Sequence, residues 1–117
     1  MNAPPTAAKV YLVLGATDMR KAINGLSLMV ADALELDPLC GAYFVFCNRN
    51  RSIIKVLYWD RNGFCLWQKR LERERFRWPQ SREQVLNISG RELAWLLEGL
   101  DLQQVRGHRE ASFQAVI

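Results

Sequence analysis

The chain turns back on itself at Asp60-Arg61-Asn62-Gly63, between two eight-residue runs, Ser52–Trp59 (SIIKVLYW) and Phe64–Leu71 (FCLWQKRL). Both runs are rich in the β-branched and aromatic residues that suit a pleated surface, and Asn62-Gly63 supplies the positive φ angles of a tight hairpin turn. Successive side chains of a strand point to opposite faces. Leu57, Trp59, Phe64 and Leu66 therefore share one face of the hairpin, and Ile54, Val56, Tyr58, Cys65, Trp67 and Lys69 share the other. Each face carries large apolar groups. An isolated two-stranded ribbon is at best marginal in water, so this hairpin belongs to a larger sheet. One face packs on a helix, and the other is covered elsewhere or used for contact.

The remaining elements read as follows. Val10–Leu14 (VYLVL), ended by Gly15, is a buried strand, and Ala42–Cys47 (AYFVFC) is another that ends at the turn signal Asn48-Arg49-Asn50. Between them, apolar Met19, Ile23, Leu26, Met29, Val30, Ala33 and Leu34 follow the spacing of one helical face. Thr17 or Asp18 can cap that helix, Gly25 weakens its middle, and Asp37-Pro38 stops it. Arg73 to Arg77 alternates strictly, which predicts a strand with Arg73, Arg75 and Arg77 on one face and Glu74, Phe76 and Trp78 on the other, ended or marked as an edge by Pro79. Ser89 and Glu92 form a capping box ahead of Leu93, Leu96, Leu97 and Leu100, which predicts a closing helix with Gly99 near its end. The fold class expected is α+β: a mostly antiparallel sheet of four or five strands packed against the N-terminal helix, with the C-terminal helix beside it. At 117 residues the chain is one domain, expected over 10–104, with a flexible leader at 1–9 and a flexible tail at 105–117.

Charge is distributed unevenly. Arg49 to Arg82 holds ten of the sixteen Lys and Arg residues and three of the four tryptophans, against only Asp60, Glu72 and Glu74, a net charge of +7. The other residues carry six cations and nine acids, a net of −3, so the total charge of +4 conceals two regions of opposite sign. A surface that meets polyphosphate gains from such clustering, because each cation that neutralises a phosphate releases a condensed counterion. Exposed strand edges also carry Lys and Arg to deter aggregation, but Arg73, Arg75 and Arg77 following directly on Lys69 and Arg70 exceed that need. The expected DNA contacts are Arg61, Lys69, Arg70, Arg73, Arg75, Arg77 and Arg82, forming a continuous electropositive ridge, with Arg20 and Lys21 as a second patch. Trp67, Phe76 and Trp78 are either core residues or platforms for stacked bases.

Other chemistries lack their residues. The single histidine, His108, lies in the expected tail, a poor setting for a catalytic relay. Cys40, Cys47 and Cys65 show neither paired spacing nor a CxxC motif, so they read as reduced thiols rather than as a disulfide framework or zinc site. Asp18, Asp32, Asp60 and Asp101 are the carboxylates that could hold a metal for phosphodiester chemistry, but caps, turns and solvated helix positions account for them. Neither GxxxxGK[ST] nor GxGxxG occurs. No cofactor, metal or catalytic set is expected. Residues 1–9 (MNAPPTAAK) lack the apolar segment of a secretory leader, and no apolar run approaches the roughly 20 residues of a membrane span. A cytoplasmic protein is expected.

Three separated motifs carry a resemblance. Thr17–Leu26 (TDMRKAINGL), Leu57–Leu66 (LYWDRNGFCL) and Lys69–Pro79 (KRLERERFRWP) are similar, in order and spacing, to the signature of the small Orf2-like accessory protein of the insertion-sequence sixty-six family; Leu93–Asp101 (LAWLLEGLD) fits its closing helix. The resemblance spans residues 10–101. It implies a non-catalytic protein that assists transposition, while a separate and longer transposase performs the strand chemistry. DNA and that transposase are the partners implied, and a homodimer through the edge strand around Arg73–Trp78 is compatible with it. The alternative is an adaptor that docks on the transposase through the apolar hairpin face and last helix without touching DNA.

Overall fold

The computed structural model describes residues 8–102. The expected leader at 1–9 and tail at 105–117 lie almost wholly outside the described residues, as does His108. Five strands, β1 (Val10–Val13), β2 (Tyr43–Cys47), β3 (Ile53–Asp60), β4 (Gly63–Arg70) and β5 (Val85–Ile88), form one sheet in the order β4-β3-β2-β1-β5. Only β1 and β2 are parallel; the other neighbours are antiparallel, so the sheet is mostly antiparallel and the fold is α+β.

The chain between β1 and β2 crosses one face through α1 (Ile23–Leu28), which continues into a wider π-helical turn at Met29–Ala33. There the Leu34 N–H reaches back five residues to the Met29 carbonyl. The helix stops before Asp37-Pro38, because Glu35 already takes a positive φ of 54°. The expected cap at Thr17 or Asp18 is not made. The helix begins after Ala22, which offers no capping side chain, and Asp18 instead accepts from the backbone N–H of Arg20 at 2.9 Å. The loop ahead of the helix is held from outside. Lys55, a buried lysine on β3, donates its Nζ to the carbonyls of Met19 (2.8 Å) and Lys21 (2.9 Å).

Both sheet faces are covered, by different elements. Val13, Phe44, Phe46 and Leu57 meet Leu26 and Val30 of the first helix. Val10, Leu12, Val45, Cys47, Ile54 and Val56 point the other way and meet Leu93 and Leu96 of α2 (Gly90–Leu97) together with Phe76 and Trp78. The closing helix thus lies on the opposite face from α1 rather than beside it. The two hairpin faces separate as the alternation predicts: Phe64 and Leu66 pack with the first cluster, Tyr58 and Trp67 with the second.

Two further expectations need correction. The hairpin turn is shifted by one residue. Asp60 pairs with Gly63, Arg61 takes the positive φ (56°), and the Asn62 N–H donates to the Asp60 carbonyl, while Gly63 joins the strand. The segment Arg73–Arg77 is not a strand. The fifth strand is Val85–Ile88, antiparallel to β1 at the other side of the sheet, and the edges are β4 and β5. The alternation in 73–78 comes from a strap laid over the sheet. The Leu71 N–H is bound by the Ser52 carbonyl and the Phe76 N–H by the Arg51 carbonyl, so these donors join the β2–β3 connection instead of a ladder.

The capping box of α2 forms as its sequence predicts, with Ser89 Oγ accepting from the Glu92 N–H and Glu92 Oε1 accepting from the Ser89 N–H, both at 3.1 Å. At the other end Gly99, at φ 90°, lets the chain turn so that the Gly99 N–H reaches the Leu96 carbonyl and the Leu100 N–H the Trp95 carbonyl. Lys69 Nζ, from β4, donates to the Leu97 carbonyl at 2.9 Å, which ties the helix C-terminus to the sheet.

Two stability measurements check this account. Lys55→Met keeps the apolar stem but leaves the Met19 and Lys21 carbonyls without their donor in a part-buried setting, and urea unfolding is expected to show a loss of about 1–2 kcal/mol. Ser89→Ala removes one side of the capping box and is expected to cost about 1 kcal/mol in the same assay.

Candidate nucleic-acid interface

The β2–β3 connection is fixed by one side chain. Asn48 Oδ1 accepts from the N–H groups of Ser52 (2.9 Å) and Ile53 (3.1 Å), and Nδ2 donates to Ser52 Oγ at 3.1 Å. The Arg51 N–H closes the turn on the Asn48 carbonyl, and Arg51 adopts a left-handed φ of 59° that a branched or bulky residue enters at a cost. The same residue anchors the strap, since its carbonyl takes the Phe76 N–H at 2.7 Å.

Strap burial then decides which way the arginines face. Phe76 and Trp78 are 1 % and 6 % exposed and sit in the core, so Arg75 and Arg77 on the alternate positions are turned to solvent. They meet Arg49 and Arg51 from the turn. Three adjoining grooves result, each touching Arg51. The largest, about 620 Å³, is lined by Arg49, Arg51, Arg75 and Arg77 with Glu74 at its wall. The second, about 390 Å³, runs between Arg51, Arg77 and Asp101. The third, about 380 Å³, is bounded by Gly15, Ala16, Arg49, Arg51 and the strap residues Gln80 and Ser81. Among the described residues none of these four arginines forms an ion pair.

The continuous ridge expected from the sequence is not what the fold makes. Arg61 is exposed at the hairpin tip, at the far end of β3 from Arg51, roughly 26 Å away for eight residues of strand. Lys69 is engaged with the Leu97 carbonyl, and Arg70 pairs with Glu72 at 3.1 Å. Arg73 and Arg82 are exposed on the strap and the segment after it, outside the groove linings. In the second patch, Arg20 grips Asp18 through Nε and Nη2 at 2.7–3.1 Å, and this guanidinium, with its backbone N–H, holds the Asp18 carboxyl down at about 2. Lys21 is exposed beside it. Of the expected stacking rings, Phe76 and Trp78 are closed to a base by burial, and Trp67 is half-buried against the core cluster of its face.

Arg49 and Arg51 are the residues that sequence reasoning passed over. They lie in the basic stretch but read as part of a turn signal, and their value depends on the strap, which arrives from some twenty-five residues downstream. Asp18, Asp32, Asp60 and Asp101 do not gather: among the described residues no three His, Cys, Asp or Glu side chains are grouped to hold a metal ion. No helix among the described residues is long and apolar enough to cross a membrane.

The sequence profile of the family described as "IS66 Orf2 like protein" matches residues 8–107. The chain belongs to this family. It is thereby an accessory protein of an insertion sequence. Two relatives come from Sinorhizobium fredii (strain NBRC 101917 / NGR234). This IS66 Orf2-like protein is 43 % identical over 93 residues to the uncharacterized protein y4hO, covering 80 % of the chain and 81 % of the relative. It is 33 % identical over 106 residues to the uncharacterized protein y4jC, covering 91 % of each. No solved structure matches it.

The cysteines provide a check on this region. Cys47 immediately precedes the turn and is fully buried, and burial pushes its thiol up to about 12 despite the nearby Arg51 and a backbone hydrogen bond at Asn48. Its neutral form is favoured in the fold, so its contribution to stability is complete below about pH 9 and is lost as pH rises towards 12. Iodoacetamide at neutral pH, read by mass spectrometry, is expected to alkylate exposed Cys40 and to leave Cys47 untouched until the protein unfolds.

Proposed function

We propose that this accessory protein assists transposition by binding DNA through the phosphate backbone, at the end of the molecule where Arg49, Arg51, Arg75 and Arg77 converge. The observation that supports this reading most is that convergence itself. Two chain segments, each locked by backbone hydrogen bonds, deliver four guanidinium groups without partners among the described residues to one set of grooves. Arginine forks match phosphate oxygens in a bidentate manner, and preorganised forks lose less entropy on binding. Arg73 and Arg82 extend the contact along the strap and the segment after it. Arg61 at the hairpin tip, and Lys21 with Arg20, contribute only at more distant phosphates.

Burial of Phe76 and Trp78 shapes the expected selectivity. Contacts to phosphate position a protein on DNA and carry no base information. With these two rings buried, the strap beside the arginines offers no stacking platform to favour unpaired strands. The protein therefore binds duplex without strong sequence preference and performs no strand chemistry of its own. Recognition of the element's ends falls to the transposase, which is its functional partner. The adaptor alternative, docking through the hairpin face and last helix, would have to use half-buried groups, because Tyr58, Trp67, Phe64 and Leu66 pack partly against the two core clusters. A homodimer through a strand at Arg73–Trp78 loses that strand, so any sheet-mediated pairing would have to use β4 or β5.

Binding to random duplex measured across a salt series tests this. With four phosphates neutralised, log K is expected to fall with log salt at a slope of about −3 to −4, and each of Arg75→Ala and Arg77→Ala should flatten it by about one unit for all sequences alike. No binding at low salt, or a slope near zero, sinks the proposal.

A further inference from the structure

We infer that the groove at the carboxyl ends of β1 and β2 is a discrete site for a single phosphate group. The inference rests on the DNA reading only for the source of that phosphate, a nucleic-acid strand. β1 and β2 are the parallel pair of the sheet, so their carboxyl ends leave side by side, β1 into Leu14-Gly15-Ala16 and β2 into Asn48-Arg49. The Thr17 N–H bound to the Cys47 carbonyl at 2.8 Å holds the two exits together.

Four residues with donor groups line the groove, Arg49, Arg51, Gln80 and Ser81, beside Trp78 and Pro79. The Ser81 hydroxyl accepts from the Glu83 N–H at 3.1 Å and keeps its own proton to donate. Gly15 and Ala16 are exposed, and their backbone N–H groups donate to nothing among the described residues. Gly15 holds a φ of 84°, open to glycine and strained for other residues, and Gly15 and Ala16 both line the groove. The absence of acid distinguishes this groove from its neighbours. Glu74 borders one and Asp101 the other, whereas among the described residues no carboxylate lines this one. An anion entering here meets two arginines, with Glu83 outside the lining as a neighbour of Ser81. At about 380 Å³ it is at the small end of ligand pockets, which run from about 300 to 1,000 Å³. The ring in its wall, Trp78, is buried, so the groove offers a base nothing to stack on, and recognition stops at the phosphate.

The test is a titration of the whole ¹⁵N-labelled chain with inorganic phosphate, thymidine 5′-monophosphate, thymidine and a short random duplex, followed at the Gly15 and Ala16 amides and the Arg51 side-chain Nε–H. Phosphate and the monophosphate are expected to shift these signals and thymidine to leave them in place. Gln80→Glu, an isosteric change at an exposed position that brings a carboxylate into the groove, is expected to weaken phosphate binding by roughly tenfold or more while the remaining spectrum stays folded. Equal shifts with thymidine, no shift with phosphate, or an unaffected Gln80→Glu variant would each overturn the inference. Duplex that binds while Gly15 and Ala16 stay unshifted removes this site and leaves the DNA reading standing. Phosphate that shifts them while duplex fails to bind removes the DNA reading and leaves the site.

Discussion

A sheet that is apolar on both faces must be covered twice, and this requirement organises the whole molecule. β3 shows it most plainly: Ile54 and Val56 face one cluster and Leu57 the other, all fully buried. The first helix and its π-helical extension cover one side. On the other side α2 has only eight residues, about 12 Å of helix, too little to roof a five-stranded sheet. The strap supplies what is missing by inserting Phe76 and Trp78 beside Leu93 and Leu96. The demand for apolar cover thus holds a stretch with no regular secondary structure against the sheet, and turns Arg75 and Arg77 outward as a consequence.

Which cations remain available to a partner is decided by the same geometry. Lys55 and Lys69 serve the fold, the first by binding two carbonyls ahead of α1 and the second by tying down the Leu97 carbonyl at the end of α2. Arg20 and Arg70 are drawn to carboxylates two residues away. These exposed pairs are worth little to stability, but they lower the positive potential of their own neighbourhoods. The field therefore concentrates around Arg51, which is also the residue whose carbonyl carries the strap. Anchoring and charge meet in one residue, so a change that loosens the turn is expected to alter both the packing of Phe76 and the placement of the guanidinium groups.

Much of the fold was legible in the sequence. The hairpin, its division into two faces, the first two strands, the apolar stripe of α1 and the capping box of α2 all follow from local periodicity and turn chemistry, which act over a few residues. The misread elements have a common cause. Alternation in Arg73–Trp78 states only that one side of the segment is buried and the other wet, and a docked strap satisfies this as well as a strand does. Val85–Ile88, by contrast, is too short to announce itself, and becomes a strand because β1 presents an open edge to it. The turn slipped by one residue because Arg61 rather than Asn62-Gly63 took the positive φ, within a register set by the full length of the β3–β4 ladder.

By itself the sequence determined the α+β class, the family and the concentration of positive charge between Arg49 and Arg82, because these reside in local pattern and composition. The tertiary structure alone decided where that charge can act. Arg49 and Arg51 join Arg75 and Arg77 only because a strap returns across the sheet to the β2–β3 turn, while Arg61 is carried to the opposite end of the hairpin. Charge adds up along a sequence without regard to direction. Electric field at a surface depends on distance and on local pairing, and both are properties of the folded chain.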